Sequence, residues 1–475
     1  MDNSQSKTPA SEGFPKPFVL FSRKCNDIFL NKWFILALFL GACVFAFIEK
    51  EPLGVAVYIG IICVALVLCE DIMATTMPFL LLCIFVTSCY DSYDTFIKFA
   101  PIAIPAVGSL IFHFIYFRQR IRIGSTFLGL IAVSVALLLG GVGFISAADY
   151  FRPMTLYYTV FLGVGMVVFY ILFKSQLSLP RKYNVSEKLI AYLYISGLLA
   201  CFIVVAFIFK NPTYISEHKM AIIYQPSNNL STVLMFAMPC PFFFVPKNKL
   251  HLISPLMMYG CIALTGSRGG LILGAIELII CIIVSACWDK PRRWIYAAAV
   301  VILTVIGIAT YDNVLMAVLT KNSISEIISS SEPRFLLLKR AAELFPQCPI
   351  FGHGLGYTGN TDIYSPVKGA MEWYHMIIPQ VVAGLGIFGT LAYLLQLFLR
   401  CRCALVAARV KNDKAVVITL FLSYVGVLLM SQVNPGLFCP LPYSLLAVMI
   451  FALMDGEDGI IPFKIKKAKH SDLIE

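Results

Sequence analysis

The sequence predicts an all-α polytopic bundle of transmembrane helices, on three observations. The 475 residues are 59% hydrophobic, only 13% charged, and have a mean hydropathy of +0.84. Apolar runs near twenty residues long recur along almost the whole chain. Most of the 37 Lys and Arg residues fall in short connections that alternate between these runs. A soluble globular chain carries roughly 25% charge, so an ordinary soluble enzyme is excluded. In hydrocarbon each run satisfies its own backbone only as a helix.

The runs place about fourteen spans, within a range of about twelve to fourteen, near residues 33–48, 52–69, 72–90, 99–117, 123–145, 154–173, 189–209, 228–245, 250–266, 270–288, 294–311, 376–399, 415–433 and 438–454. Basic connections such as Arg118-Gln119-Arg120 and Lys290-Pro291-Arg292-Arg293, together with basic residues at both chain ends, put both termini in the cytoplasm. The expected organisation is a cytoplasmic segment at 1–32, a bundle of eleven spans at 33–311, a long outer loop at 312–375, three spans at 376–454 and a basic cytoplasmic tail at 455–475. The net charge of +11 reads as topology and implies no nucleic acid.

Fifteen cysteines lie mostly inside apolar runs, as Cys63, Cys69, Cys83 and Cys201 do, and behave as small apolar side chains. Cys348 and Cys439 both map outside, where one bridge is geometrically open to them. The polar stretch to Lys32 is too long for the start of a cleaved signal, and Leu40-Gly41-Ala42-Cys43 resembles a lipoprotein box by chance.

Polar chemistry concentrates late in the chain and outside. Residues 210–227 form a moderate outer loop. Residues 312–375 form a long one with structure of its own: Glu332 and Pro333 suit a helix start, residues 335–345 read as an amphipathic helix, and Pro346 and Pro349 stop it. Phe351-Gly352-His353-Gly354-Leu355-Gly356 is then a Gly-rich turn, and Trp373 and Tyr374 mark the interface before the next span.

Thr265-Gly266-Ser267-Arg268-Gly269-Gly270 is an outer turn whose arginine runs against the inside bias. It either snorkels to headgroups or, with glycines and a helix N-terminus beside it, binds an anion. Arg334, Lys339 and Arg340 lie in the loop helix, with Arg334 on the face of Leu338 and Ala341; a solvated face is the plain reading for Lys339 and Arg340. His353 is as suited to a structural bond as to chemistry. His375, where the loop re-enters, is the best proton acceptor in the outer half. Glu277, deep in a span, lies nine residues past Arg268, about 13 Å along a helix and too far to pair with it, so a Ser, Thr or Tyr partner is expected. His113 reads as bundle packing. Glu49 and Glu51 read as solvated loop charges, and the acidic run from Asp455 to Asp458 is cytoplasmic. With no Asp-x-Asp, His-x-x-His or Cys-x-x-Cys in the outer loops, neither metal nor cofactor is expected.

In order, spacing and common outward side, the Thr265 to Gly269 turn, the Ser331-Glu332-Pro333-Arg334 to Gly356 loop pattern and His375 at the foot of the next span resemble the O-antigen ligase and polymerase family (Wzy/WaaL type) over roughly residues 255–400. The resemblance implies a metal-independent glycosyltransferase of the bacterial cytoplasmic (inner) membrane. It would move glycan from undecaprenyl diphosphate to an acceptor glycan on the outer side, with a chain-length regulator as a further candidate partner beside the lipid bilayer. Carried over, Arg268 and Arg334 bind the diphosphate and His375 activates the acceptor hydroxyl; Ser267, Gly269, Arg340, His353, Gly354 and Tyr374 are the candidate substrate-binding residues. Met376 stands where members often have Asn, and fourteen spans exceed the ligases' twelve or so, which favours a polymerase or a divergent member. Two rivals stand beside this reading. One is a lipid-linked oligosaccharide flippase or other secondary transporter; the other is a shape-and-division glycan polymerase with Asp362 or Glu372 as its acid.

Overall fold

The structure is a computed structural model and describes residues 16–85, 93–117, 122–177, 179, 181–213, 221–222, 225–310, 324–359, 372–410, 414–434 and 442–455. Helix occupies every apolar run named above, as hydrocarbon burial of an apolar backbone requires. In order these are α1 (Lys16–Phe29), α2 (Lys32–Phe47), α3 (Glu51–Leu68), α4 (Met73–Phe85), α5 (Tyr93–Tyr116), α6 (Thr126–Ala136), α7 (Pro153–Val160), α8 (Met166–Gln176) and α9 (Val185–Lys210). There follow α10 (Ser227–Ala237), α11 (Cys240–Phe244), α12 (Ile253–Leu264), α13 (Arg268–Trp288), α14 (Arg293–Thr310), α15 (Ile324–Leu344), α16 (Ile377–Val410), α17 (Lys414–Met430) and α18 (Pro442–Met454). A two-residue ladder, β1 (Ala221–Ile222) with β2 (Gln225–Pro226), sits in the moderate loop.

The chain is thus an all-α membrane protein. Among the described residues four helical stretches are each long and apolar enough to cross a bilayer: Thr155–Gln176, Val185–Lys210, Arg268–Trp288 and Ile377–Arg409. Seven other apolar helices are shorter, and α1 meets α2 at a bend of 52°. Several helices depart from the uniform rods that composition suggests. A π-turn (Leu137–Gly141) ends α6 and another (Phe161–Gly165) joins α7 to α8. Such turns mark helices that open their hydrogen-bond ladder to fit a neighbour. Two further helices lie outside the apolar runs, and the second starts earlier than expected. Residues 16–29 of the N-terminal segment are helical, with Ser22 and Asn26 receiving hydrogen bonds from the backbone of Glu70 and Asp71. The loop helix α15 begins at Ile324, well before the start expected at Glu332 and Pro333, so Ser325 and Ser329 to Ser331 are wound into it.

At one end of the bundle Asp455 terminates α18 and accepts hydrogen bonds from the backbone N–H and hydroxyl of both Ser125 and Thr126, and from Tyr170. It thereby caps the start of α6, satisfying N–H groups that a helix leaves open. His113 packs as expected, with Nδ1 2.8 Å from the Leu66 carbonyl and Nε2 2.6 Å from Gln176.

At the other end the Gly-rich turn runs between α6 and α16. Gly386 has φ 64° and ψ −162°, so α16 is two helical pieces meeting at a break. The N–H groups of Ile387 and Phe388 bond to the carbonyls of Pro349 and Ile350, at 2.8 and 3.1 Å. Gly354 N–H donates to Gly384 at 2.8 Å, His353 N–H to Ala383 at 3.0 Å and Leu355 N–H to Gly141 at 2.8 Å. Backbone meets backbone here: a Cβ on Gly354, whose φ is +95°, would stand 2.9 Å from the Gly143 nitrogen. Gly354→Ala therefore combines left-handed strain with a clash. The expected cost is about 1–3 kcal/mol, seen as a lower thermal unfolding midpoint in detergent; an unchanged midpoint would show that the dock is slack.

Candidate active site

The Thr265 to Gly270 turn becomes the N-terminus of α13. Ser267 is its cap: Oγ accepts the Gly270 N–H at 3.0 Å and donates to Asn228 Oδ1 at 2.7 Å, while the buried Thr265 hydroxyl meets Ser231 at 2.8 Å. Arg268 is the first helical residue and is half-buried. Gly269 packs so closely on Val433 that a Cβ would lie 2.7 Å from it. The turn is therefore fastened to the start of α10 and to the residues just past α17, where Asn434 also bonds Asn229 at 2.9 Å. Ser267 and Gly269 shape this helix start and hold it in place.

His375 arrives at the same end of α17. The N–H of Ile377, two residues on, donates to the Ser431 carbonyl at 2.9 Å. His375 has φ 54°, a left-handed conformation that is uncommon outside glycine and is held only where the surroundings fix it. Gln380 supplies that hold. Fully buried, it accepts the Tyr374 N–H at 2.9 Å and donates to the Leu355 carbonyl at 2.5 Å, clamping the chain beside His375. Sequence reasoning missed Gln380, although a glutamine within a span five residues after the histidine was a readable signal.

The loop helix brings the second arginine. Leu337 and Ala341 of α15 pack on Tyr374 and Ala383 as a small separate core. Of the residues expected on the face of Arg334, Ala341 is buried here together with Leu337, whereas Leu338 is exposed. One turn before Leu337, half-buried Arg334 lies close enough to act on His375. The imidazole pKa is pushed down to about 4, first by burial and then by the Arg334 charge. A neutral imidazole can accept a proton, and a guanidinium beside it can hold an anion.

The other expected residues are placed as follows. Arg340 is half-buried, with Glu343 at 3.9 Å. Tyr374 is wholly buried beneath α15, and its hydroxyl has no hydrogen-bond partner among the described residues. His353 is wholly buried, with a lowered pKa caused first by burial. Gly354 has its N–H committed to Gly384. Glu372, raised as the acid of a rival mechanism, is held by Arg152 Nη2 at 3.1 Å and by the Thr358 N–H and hydroxyl at 2.8 and 3.0 Å. Asp362, raised as the other acid of that rival mechanism, and Cys439, raised as a bridge partner for Cys348, lie outside the described residues.

A mainly apolar cavity of ≈ 420 Å³ begins two residues beyond His375, at Ile377. Ile377, Ile378 and Val381 line it at one end, next to Gln432, and Gln396 and Arg400 line it deeper along α16. Glu277 is elsewhere, buried against Gly426 of α17. The Ser, Thr or Tyr partner expected for it is missing: neither carboxyl oxygen has a hydrogen-bond partner among the described residues.

Residues 253–394 match a protein-family model described as O-Antigen ligase, which supports the resemblance read from the sequence. No curated protein matches the chain. The matched segment begins with α12 and ends within α16, so it spans Arg268, Arg334 and His375.

Proposed function

We propose that this O-antigen ligase-like membrane protein is a polysaccharide polymerase or ligase of the bacterial inner membrane, with about fourteen spans and its site facing outward. It transfers glycan from undecaprenyl diphosphate to an acceptor sugar. The observation that carries the reading is His375, neutral and strained beside Arg334, at the α17 end to which the Arg268 helix start is also fastened.

The chemistry follows from those groups. The acceptor hydroxyl gives its proton to the His375 imidazole as its oxygen bonds the anomeric carbon. The bond from that carbon to the diphosphate breaks, and the electron pair leaves with the carrier. Arg268, the α13 N-terminus and Arg334 stabilise the charge that collects there. The apolar cavity beginning at Ile377 suits the first isoprene units of the carrier, directly below the headgroup. One displacement inverts the anomeric centre, and retention in the product would defeat this step.

One observation favours a transporter instead: an unpartnered carboxyl, Glu277, inside the bundle. Purified protein in vesicles, given a lipid diphosphate-linked repeat unit and no nucleotide sugar, separates the two. Glycan chain growth supports the transferase; lipid movement across the bilayer without a new glycosidic bond supports the flippase and ends the present reading.

A further inference from the structure

We infer that the acceptor glycan docks on an aromatic shelf formed by Tyr150 and Tyr357 and edged by Arg152 and Glu372; the inference rests on the transfer reaction proposed above. Tyr150 and Arg152 belong to the connection between α6 and α7, a part of the chain outside the family match. The Tyr150 ring lies 4.5 Å from Tyr357 and 4.5 Å from His353, and His353 stacks on Tyr357 at 5.9 Å with 13° between planes. Both tyrosines are half-buried, so the shelf has an open side. Beneath it His353 is fully enclosed, and neither ring nitrogen has a hydrogen-bond partner among the described residues.

The charges at its edge decide what class of ligand fits. Arg152 sits 5.3 Å from the Tyr357 ring centroid and pairs with Glu372 at 3.1 Å. Its charge is met by a carboxylate, so the shelf is not a second diphosphate site. A pyranose offers an apolar C–H face and a rim of hydroxyls. Tyrosine rings match the face, and the tyrosine hydroxyls and the partly exposed Arg152 guanidinium match the rim.

Position points the same way. Glu372 precedes His375 by three residues, a reach of at most about 10 Å of extended chain. A short oligosaccharide resting on the shelf can therefore present a hydroxyl to the imidazole. In the transfer proposed above, the diphosphate is held by other residues, Arg268 and Arg334.

The test uses the full chain in nanodiscs and, as probe, the repeat-unit oligosaccharide released from its carrier by mild acid. Binding is followed by saturation-transfer NMR, and undecaprenyl diphosphate binding is measured on the same samples. Tyr357→Ala should weaken oligosaccharide binding by about tenfold and leave the carrier's affinity unchanged, whereas Tyr357→Phe should retain oligosaccharide binding, since the ring carries the contact. Tyr150→Ala is the second truncation should Tyr357→Ala fail to fold, and Tyr357→Trp must retain binding. Equal affinity in wild type and the truncated variants overturns the shelf, as does a wild-type protein that ignores the oligosaccharide while binding the carrier. A wild type that binds the oligosaccharide but not the carrier upholds the shelf and instead defeats the proposed transfer.

Discussion

His375→Ala is expected to lower the rate of glycan transfer by about 10²- to 10⁴-fold, the usual worth of a positioned general base, with undecaprenyl diphosphate still bound as in the wild type. The separation of the two effects is the informative part, because the imidazole acts on the acceptor while the guanidinium groups hold the leaving group. The pH profile carries a second signature. Burial and Arg334 hold the free protein's imidazole near pKa 4, so it is neutral at physiological pH and the acid limb of kcat/KM should lie far below the usual histidine range. A base that weak is poorly matched to a hydroxyl. Diphosphate binding corrects this: its negative charge offsets Arg334 and favours imidazolium, raising the pKa. The acid limb of kcat, which reports the complex, should therefore stand at higher pH than that of kcat/KM. Arg334→Gln removes one of the two lowering causes, so the kcat/KM limb should move up, though not to 6.5, because burial remains. A limb that stays in place in the Arg334 variant would show that the two residues do not sense each other.

Arg268→Ala should lower kcat/KM by about 10²- to 10³-fold, as loss of one stabilising donor at a developing anion does, and should also weaken carrier binding. Arg268→Lys should recover only part, because an ammonium replaces a planar fork with a point charge. Equilibrium binding of undecaprenyl diphosphate and single-turnover transfer measure the two effects separately. Wild-type carrier affinity in the alanine variant would leave Arg268 as an interfacial residue among headgroups, the plain alternative its sequence always allowed.

Much of this protein was legible before its structure because hydrocarbon is an unforgiving solvent. An apolar run in it has one backbone solution, so α2 to α14 and α16 to α18 coincide with the runs read from composition, while α15 belongs to the polar loop between them. Arg268 and His375 stood out for a related reason: a basic residue in a short outer turn and an imidazole at a membrane foot each need an explanation. What pattern could not supply was shape across the sequence. The break at Gly386 and the π-turn at Leu137–Gly141 are settled by the Pro349 to Leu355 segment lying between them, a pairing of stretches far apart in the chain. Leu337 and Leu338 were interchangeable on a helical wheel until Tyr374 chose one. Arg152 meets Glu372 across 220 residues, and no local period announces such a bond. Glu277 was expected to have a partner on chemical grounds, and the bundle gives it a glycine instead.

The carbonyls of Pro349 and Ile350 close the gap in α16, so the long segment between α14 and α16 cannot be exchanged like a detachable lid. Lifting it would strand the amides of Ile387 and Phe388 in a setting without water. Chimeras made to change sugar preference by grafting this segment alone should misassemble. A graft that also carries residues 140–143 and 384–386 keeps the seam intact, and it is the smallest unit in which evolution or an engineer can trade specificity.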